Sequence, residues 1–475
     1  MNGERARRLT LAATVLGSSL AFIDASVVIV ALPTIERSLD FGLAGEQWVF
    51  LAYSLALAAL YLPAGAVGDR LGRREVFAAG VAGFAAASAL AGAAPDGAVL
   101  IVARTLQGIA GAFVTTNSLA LLRETYGRES GRAVGLWTSF TSVATIGGPP
   151  VGGAIVQWVS WRWIFFLNLP LAAACIYLAR AGRCPQRERH RVGHLDLPGA
   201  ALAGVSFGAL TYGMVSGAAH GFGSVWWTFV VAGAALAGFV AVEQVVAEPM
   251  LPFALFRNRN FALANLETFF VYGALGADFF YVTIYLQFLG FSPLAAGLAG
   301  VPGSVVMIVL APRFGRLADE RGPRAFLFSG AILIAAGLAL LSFVESRADF
   351  WRFGVAGLAV FSVGLAALVA PITSTALAAA PERFSGIASG VNSTVSRLGN
   401  LLTVAVLGLV VLLVFKANGG AGGVPLAQGQ HAPKLHSASV DSFRVAMLIA
   451  AGLAVAGAVV ALGVSDREAR AAARA

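Results

Sequence analysis

The sequence predicts an all-α membrane protein with fourteen transmembrane helices. They form two six-helix bundles with two helices inserted between them, and both termini lie in the cytoplasm. Three observations predict this. Of 475 residues, 58% are hydrophobic and 12% charged, where a soluble domain carries about 25% charged residues. The apolar residues fall in runs of about 18 or more, enough to cross a bilayer as helix. Finally, Gly65-Ala-Val-Gly-Asp69-Arg70-Leu-Gly72-Arg73-Arg74 returns as Gly315-Arg-Leu-Ala-Asp319-Glu-Arg-Gly322-Pro-Arg324. Each copy lies in a short polar break between long apolar runs. A charged knot at the same point of two hydrophobic halves marks a duplicated membrane unit.

The apolar runs lie near 9–31, 47–67, 75–95, 98–122, 133–156, 163–180, 197–217, 226–247, 261–287, 294–314, 326–345, 351–374, 389–414 and 441–464. The first follows a basic N-terminus and is too long for a signal-peptide core, so it reads as an uncleaved span. With the N-terminus inside, 24 of the 33 Lys and Arg residues fall at inner breaks and seven at outer ones, which favours cytoplasmic termini. The net charge of +9 therefore reflects headgroups and topology rather than nucleic acid. Removing spans 7 and 8 leaves six helices on each side, with the motif after the second helix of each set. The expected domains are 1–182, a linker with the inserted pair at 183–256, and 257–475. Cys175 and Cys184 make no disulfide framework or metal-ligand pattern. Neither Lys416 nor Lys434 sits in a phosphate-cradling loop, so no ATPase is expected. No cofactor is expected, and no His/Cys/Ser constellation suggests an enzyme.

Taken in chain order, the first buried charge is Asp24 in span 1. An intramembrane carboxylate is costly and marks a functional position or a fixed ion pair. Arg104 in span 4 is its candidate partner, at similar height; the alternative is snorkelling to the outer interface. The motif residues Gly65, Asp69, Arg70, Gly72, Arg73 and Arg74, with Asp319 and Arg324 of the second copy, suit a latch at the inner face. A plain topogenic loop is the other reading. In span 5, Gly148, Pro149, Gly152 and Gly153 allow close helix approach and a bend. Span 9 carries Glu267 and Asp278; eleven residues at about 100° each bring both to one side of the helix, roughly 16 Å apart. They suit proton carriage or attraction of a cation, although Glu267 also fits an interfacial position. Trp48, Tyr53, Gln107, Phe270, Tyr281 and Asn392 are candidates to line a substrate cavity.

These features resemble the major facilitator superfamily over essentially the whole chain. The stretch Gly65–Arg74 resembles its signature loop, Leu100-x-x-x-Arg104-x-x-Gln107-Gly108 its span 4 motif, and Gly148-Pro149-x-x-Gly152-Gly153 its antiporter motif. Asp24-Ala-Ser-Val-Val-Ile-Val-Ala-Leu-Pro33 and Trp161-Arg-Trp-Ile-Phe-Phe-Leu-Asn-Leu-Pro170 look most like the fourteen-span drug:proton antiporters. Ala25-Ser26 stand where that group often has Thr, and Pro150 doubles the proline of the antiporter motif. The resemblance implies alternating-access export of lipophilic, often cationic compounds from a bacterial cytoplasmic membrane, driven by the proton gradient. It also implies a part in proton transfer for Arg104, and with the buried acids the expected proton-coupling set is Asp24, Asp278, Glu267 and Arg104; lipid surroundings and a monomer are expected as well. Nutrient symport and a non-transporting membrane sensor remain open on the residues alone.

Overall fold

The computed structural model describes residues 3–127, 130–182, 197–246, 251, 253–381, 385–420, 424–427 and 432–467. The Asp69 side chain and most of the basic linker lie outside the described part. The helices are α1 (Gly3–Leu39), α2 (Gly42–Leu71), α3 (Arg73–Gly92), α4 (Gly97–Tyr126), α5 (Ser130–Trp158), α6 (Trp163–Phe166), α7 (Asn168–Ala181), α8 (Leu197–His220) and α9 (Phe222–Val245). After a 3₁₀ turn at Phe253–Arg257 come α10 (Arg259–Ala277), α11 (Thr283–Phe288), α12 (Pro293–Leu298), α13 (Val301–Arg321), α14 (Arg324–Leu341), α15 (Arg347–Asp349), α16 (Val355–Ala378), α17 (Ser385–Ala417) and α18 (Pro433–Ala461). One π-turn, Asp278–Val282, joins α10 to α11, and another, Phe350–Gly354, joins α15 to α16.

Thirteen helical segments among the described residues are long and apolar enough to cross a membrane. Helix α5 is 29 residues long and is not among these thirteen. With α5 the count is compatible with the fourteen spans predicted.

The chain divides into two compact units. One comprises Met1–Tyr212, Trp226–Met250 and Ser292–Gly297, the other Gly213–Val225, Leu251–Phe291 and Leu298–Ala475. Most of α8 and of α9 groups with the first. The duplication seen in the motif extends to the packing. In the first unit α1 packs on α4, α5 and α7, α4 on α2 and α3, and α3 on α7. In the second, α10 packs on α16, α17 and α18, α16 on α13 and α14, and α14 on α18. Each pairing has its counterpart at the same place in the six-helix order.

Without a hydrophobic drive between helices in lipid, close approach at small residues holds such a bundle. The α14–α16 contact illustrates it. A Cβ at Gly337 would lie 2.6 Å from the Gly357 carbonyl oxygen, and one at Gly357 would lie 2.9 Å from that of Gly337. Gly337→Ala is therefore expected to cost about 1–3 kcal/mol, while Gly452→Ala, with open space around it, is neutral or slightly stabilising. Thermal unfolding of the two variants in detergent checks this; equal midpoints would refute the packing argument.

Candidate functional site

Asp24 lies at the convergence of five elements of the first unit. It is fully buried, as are Arg104, Gln107 and Ser88, and Asn168 is 1% exposed. Arg104 Nη1 donates to Asp24 Oδ2 in a short charge-assisted bond and to Gln107 Oε1 at 2.8 Å. Its Nε donates to Val49 O at 3.1 Å. The other carboxylate oxygen, Asp24 Oδ1, accepts from Gln107 Nε2 at 3.1 Å and from Asn168 Nδ2 at 2.9 Å. Both amides also donate to Ser88 Oγ, at 2.8 and 3.2 Å. The guanidinium sits over the Tyr53 ring, 4.5 Å from its centroid, and Phe165 approaches at 5.9 Å. Tyr53 in turn donates its hydroxyl to Ala21 O at 3.0 Å, tying α2 back to α1.

A buried ion pair is stable only when its remaining lone pairs and protons are also met. Asp24 meets this with three donor groups; Arg104 Nη2 alone has no partner among the described residues. Arg104 therefore does not snorkel. Gln107 and Tyr53, expected to line a cavity, belong to this cluster instead, and their polar atoms are committed. Ser88 and Asn168 each make two of its hydrogen bonds, against three for Gln107. Asn168 lay within the Trp161–Pro170 stretch without a role, and Ser88 gave no signal, because a serine in an apolar helix is commonplace.

The second unit contrasts with this. Glu267 is fully buried on α10, and neither carboxyl oxygen has a hydrogen-bond partner among the described residues. Its Cγ lies near Gly457 of α18, so the side chain is enclosed by protein. Asp278 begins the π-turn, is 9% exposed, and its Oδ1 also lacks a partner among the described residues. The pair falls with Val271 and Ala274 on one buried stripe of α10, as the eleven-residue spacing predicts. Helix α16, the counterpart of the helix carrying Arg104, holds no charged residue.

Other expected cavity residues prove to be packing positions. The Tyr281 ring is wholly buried and its hydroxyl donates to Val404 O at 2.9 Å. Buried Asn392 accepts from Thr268 Oγ1 at 3.0 Å. Trp48 packs against Tyr212 of inserted helix α8, 5.9 Å between centroids, and Tyr212 against Trp227 of α9. Phe270 and Trp48 are both half-buried, Phe270 edge to face with Phe269. A polar aromatic in a span is easily read as cavity lining, but a buried hydroxyl needs an acceptor, and here backbone carbonyls provide it.

In the antiporter stretch, Gly148 and Gly152 let α5 press on α1: Cβ atoms there would lie 2.0 Å from Ser26 Oγ and 2.2 Å from Val27 Cγ2. Gly153 meets the backbone of Pro293 and Leu294, and the Pro149 carbonyl faces Gly297. At the inner motif, Gly72 turns the chain at φ +105°, and Gly68 and Gly65 lie against Asn117 and Thr116 of α4. Arg73 Nη1 donates to Ala120 O at 3.1 Å and lies 3.8 Å from Glu124 Oε2. Arg70 is exposed and Arg74 half-buried. In the second copy Gly322 repeats the turn at φ +102°, and Asp319 and Arg324 are exposed.

Comparison with known proteins agrees with the fold. The chain is 36% identical over 418 residues to multidrug resistance protein Stp of Mycobacterium tuberculosis, covering 86% of this chain and 76% of that one. It is 33% identical to the tetracenomycin C resistance and export protein of Streptomyces glaucescens, covering 85% and 75%. Against the methylenomycin A resistance protein of Bacillus subtilis the identity is 32%, covering 87% and 90%. Among solved structures, a bacterial homologue of the lysosomal transporter Spinster superposes with a TM-score of 0.68 at 17% identity, covering 99% of this chain and 98% of that one. The nucleoside transporter NupG gives 0.67 at 13%, covering 96% and 99%; both show the fold. With bacterial relatives and many apolar spans, the chain is a multi-pass protein of the bacterial cytoplasmic membrane. The profile of the Major Facilitator Superfamily matches residues 14–404, and the chain belongs to that family of membrane transporters.

Proposed function

We propose that this protein exports lipophilic, drug-like compounds, often cationic, in exchange for protons by alternating access. The observation that carries the reading is the contrast between two sets of buried acids. Asp24 accepts from Arg104, Gln107 and Asn168, so a proton reaching it must displace a bond. Glu267 accepts from none of the described residues, so a proton can join or leave without breaking one. Buried ionisable groups in spans are costly and mark proton relays and substrate paths. Glu267 and Asp278 then exchange the proton, and Asp24 with Arg104 keeps the first unit in one charge-paired geometry that substrate and proton must both respect. Loss of a proton inside the cell and its return from outside drive export, with no resident cofactor. The resistance relatives support the export direction, as does the glycine–proline stretch of α5. Protein in proteoliposomes is expected to release protons when a lipophilic cation such as ethidium is supplied, and a protonophore is expected to stop uphill ethidium export. Export that continues at an unchanged rate with the gradient collapsed would remove proton coupling from the proposal.

A further inference from the structure

The two copies of the repeated motif differ at their ninth position, Arg73 in the first and Pro323 in the second. In the first copy this arginine ties the α2–α3 turn to α4, through Ala120 O and Glu124. Pro323 offers no such side chain. It also stands as the N-cap of α14 without a side-chain capping bond, so the helix begins with backbone donors that need acceptors.

A residue 142 positions away meets one of them. Asp466 Oδ1 accepts from Arg324 N at 3.0 Å, a carboxylate where the helix dipole favours negative charge. Its carboxyl lies against Gly322, where a Cβ would come within 2.4 Å of Oδ1. The residue before it is bound just as specifically. Ser465 N donates to Asn260 Oδ1 at 2.8 Å, and Asn260 Nδ2 donates to Ser465 O at 3.0 Å. Asn260 opens α10, the helix that carries Glu267 and Asp278. Thus the foot of α10, the α13–α14 turn and the segment after α18 meet at two consecutive residues.

We propose that Ser465 and Asp466 are the clasp of the second motif copy: a positioning element that holds the α13–α14 turn to the foot of α10 through the transport cycle, in the part Arg73 takes in the first copy. The clasp rests on the chain being a transporter and not on which carboxyl carries the proton. It works through hydrogen bonds to backbone, so an acceptor oxygen at 466 matters more than its charge.

The test uses the full chain in proteoliposomes, with ethidium export and amide hydrogen exchange over the first turn of α14 as paired readings. Asp466→Ala is expected to lower the maximal export rate about fivefold or more at an unchanged KM, and to speed exchange at Arg324 about tenfold. Asp466→Asn, which keeps Oδ1 as an acceptor, is expected to stay near wild type in both. Asn260→Ala removes the other half of the clasp, carries the first expectation, and serves where Asp466→Ala does not accumulate. Faster exchange with an unchanged maximal rate would make Asp466 a helix cap only and overturn the proposal. Unchanged exchange would overturn it too, as would a loss that Asp466→Asn shares in full. The wild-type rate in the same vesicles reports on the export reading by itself, so the two can fail separately.

Discussion

Arg104→Ala is expected to abolish export and to lower stability by about 3–5 kcal/mol, because it leaves the Asp24 carboxylate buried without its cation. Gln107 and Asn168 would still donate to Oδ1, but Oδ2 would lose its only donor among the bonds described. Arg104→Lys restores the charge but not the fork: a single ammonium cannot also reach Val49 O and Gln107 Oε1 as the guanidinium does. It is expected to recover part of the stability and little of the transport. The decisive variant is the double substitution Asp24→Asn with Arg104→Gln. Neutralising both partners removes the buried charges together, and stability is expected to return to within about 1–2 kcal/mol of wild type. Export is not expected to return. A double variant that folds and exports at the wild-type rate would show that the pair is only a structural tie. Thermal unfolding in detergent and ethidium efflux from cells read the two quantities side by side.

Glu267→Gln is expected to separate proton coupling from substrate movement. Gln keeps the size of the protonated acid and removes the titratable group. It adds one amide where the acid already lacks hydrogen-bond partners among the described residues, so the change in stability is about 1–2 kcal/mol at most. The variant is held in one proton-loaded form. Exchange of labelled ethidium for unlabelled ethidium across the vesicle needs no net proton movement and is expected to continue. Uphill export driven by a proton gradient is expected to fall about tenfold or more, at least ~1.4 kcal/mol in the barrier. Asp278→Asn tests whether the acid at the π-turn shares the task; a second, partial loss is expected. If Glu267→Gln exports uphill as wild type does, the proton travels elsewhere and the division of labour between the units is wrong.

Much of the site was legible because charge in lipid is expensive. Asp24 and Arg104 stood out as two costly residues at similar depth, and pairing is the cheapest resolution. The eleven-residue spacing put Glu267 and Asp278 on one stripe of α10, since α-helical geometry continues unbroken until the π-turn begins at Asp278. Two members of the cluster around Asp24 were not legible. Asn168, which donates to Asp24, and Ser88, which accepts from Asn168 and Gln107, lie 144 and 64 residues from it, and Ser or Asn in an apolar helix carries no mark of what it will face. Aromatics misled for a related reason. Tyr53 and Tyr281 look like solute contacts until the backbone carbonyls that accept their hydroxyls are in place.

The amino-acid order alone determined the all-helical membrane architecture, its duplication and the residues too polar to be there by accident. These depend on run length, repeat and transfer cost, which are local properties of a chain in lipid. Only the tertiary structure decided which acid is bound and which finds no donor among the described residues, and which distant residue meets each copy of the repeated turn. A hydrogen bond needs its two atoms within about 3 Å. For Asp24 and Asn168, or for Arg324 and Asp466, that distance exists only after helices far apart in the chain have packed.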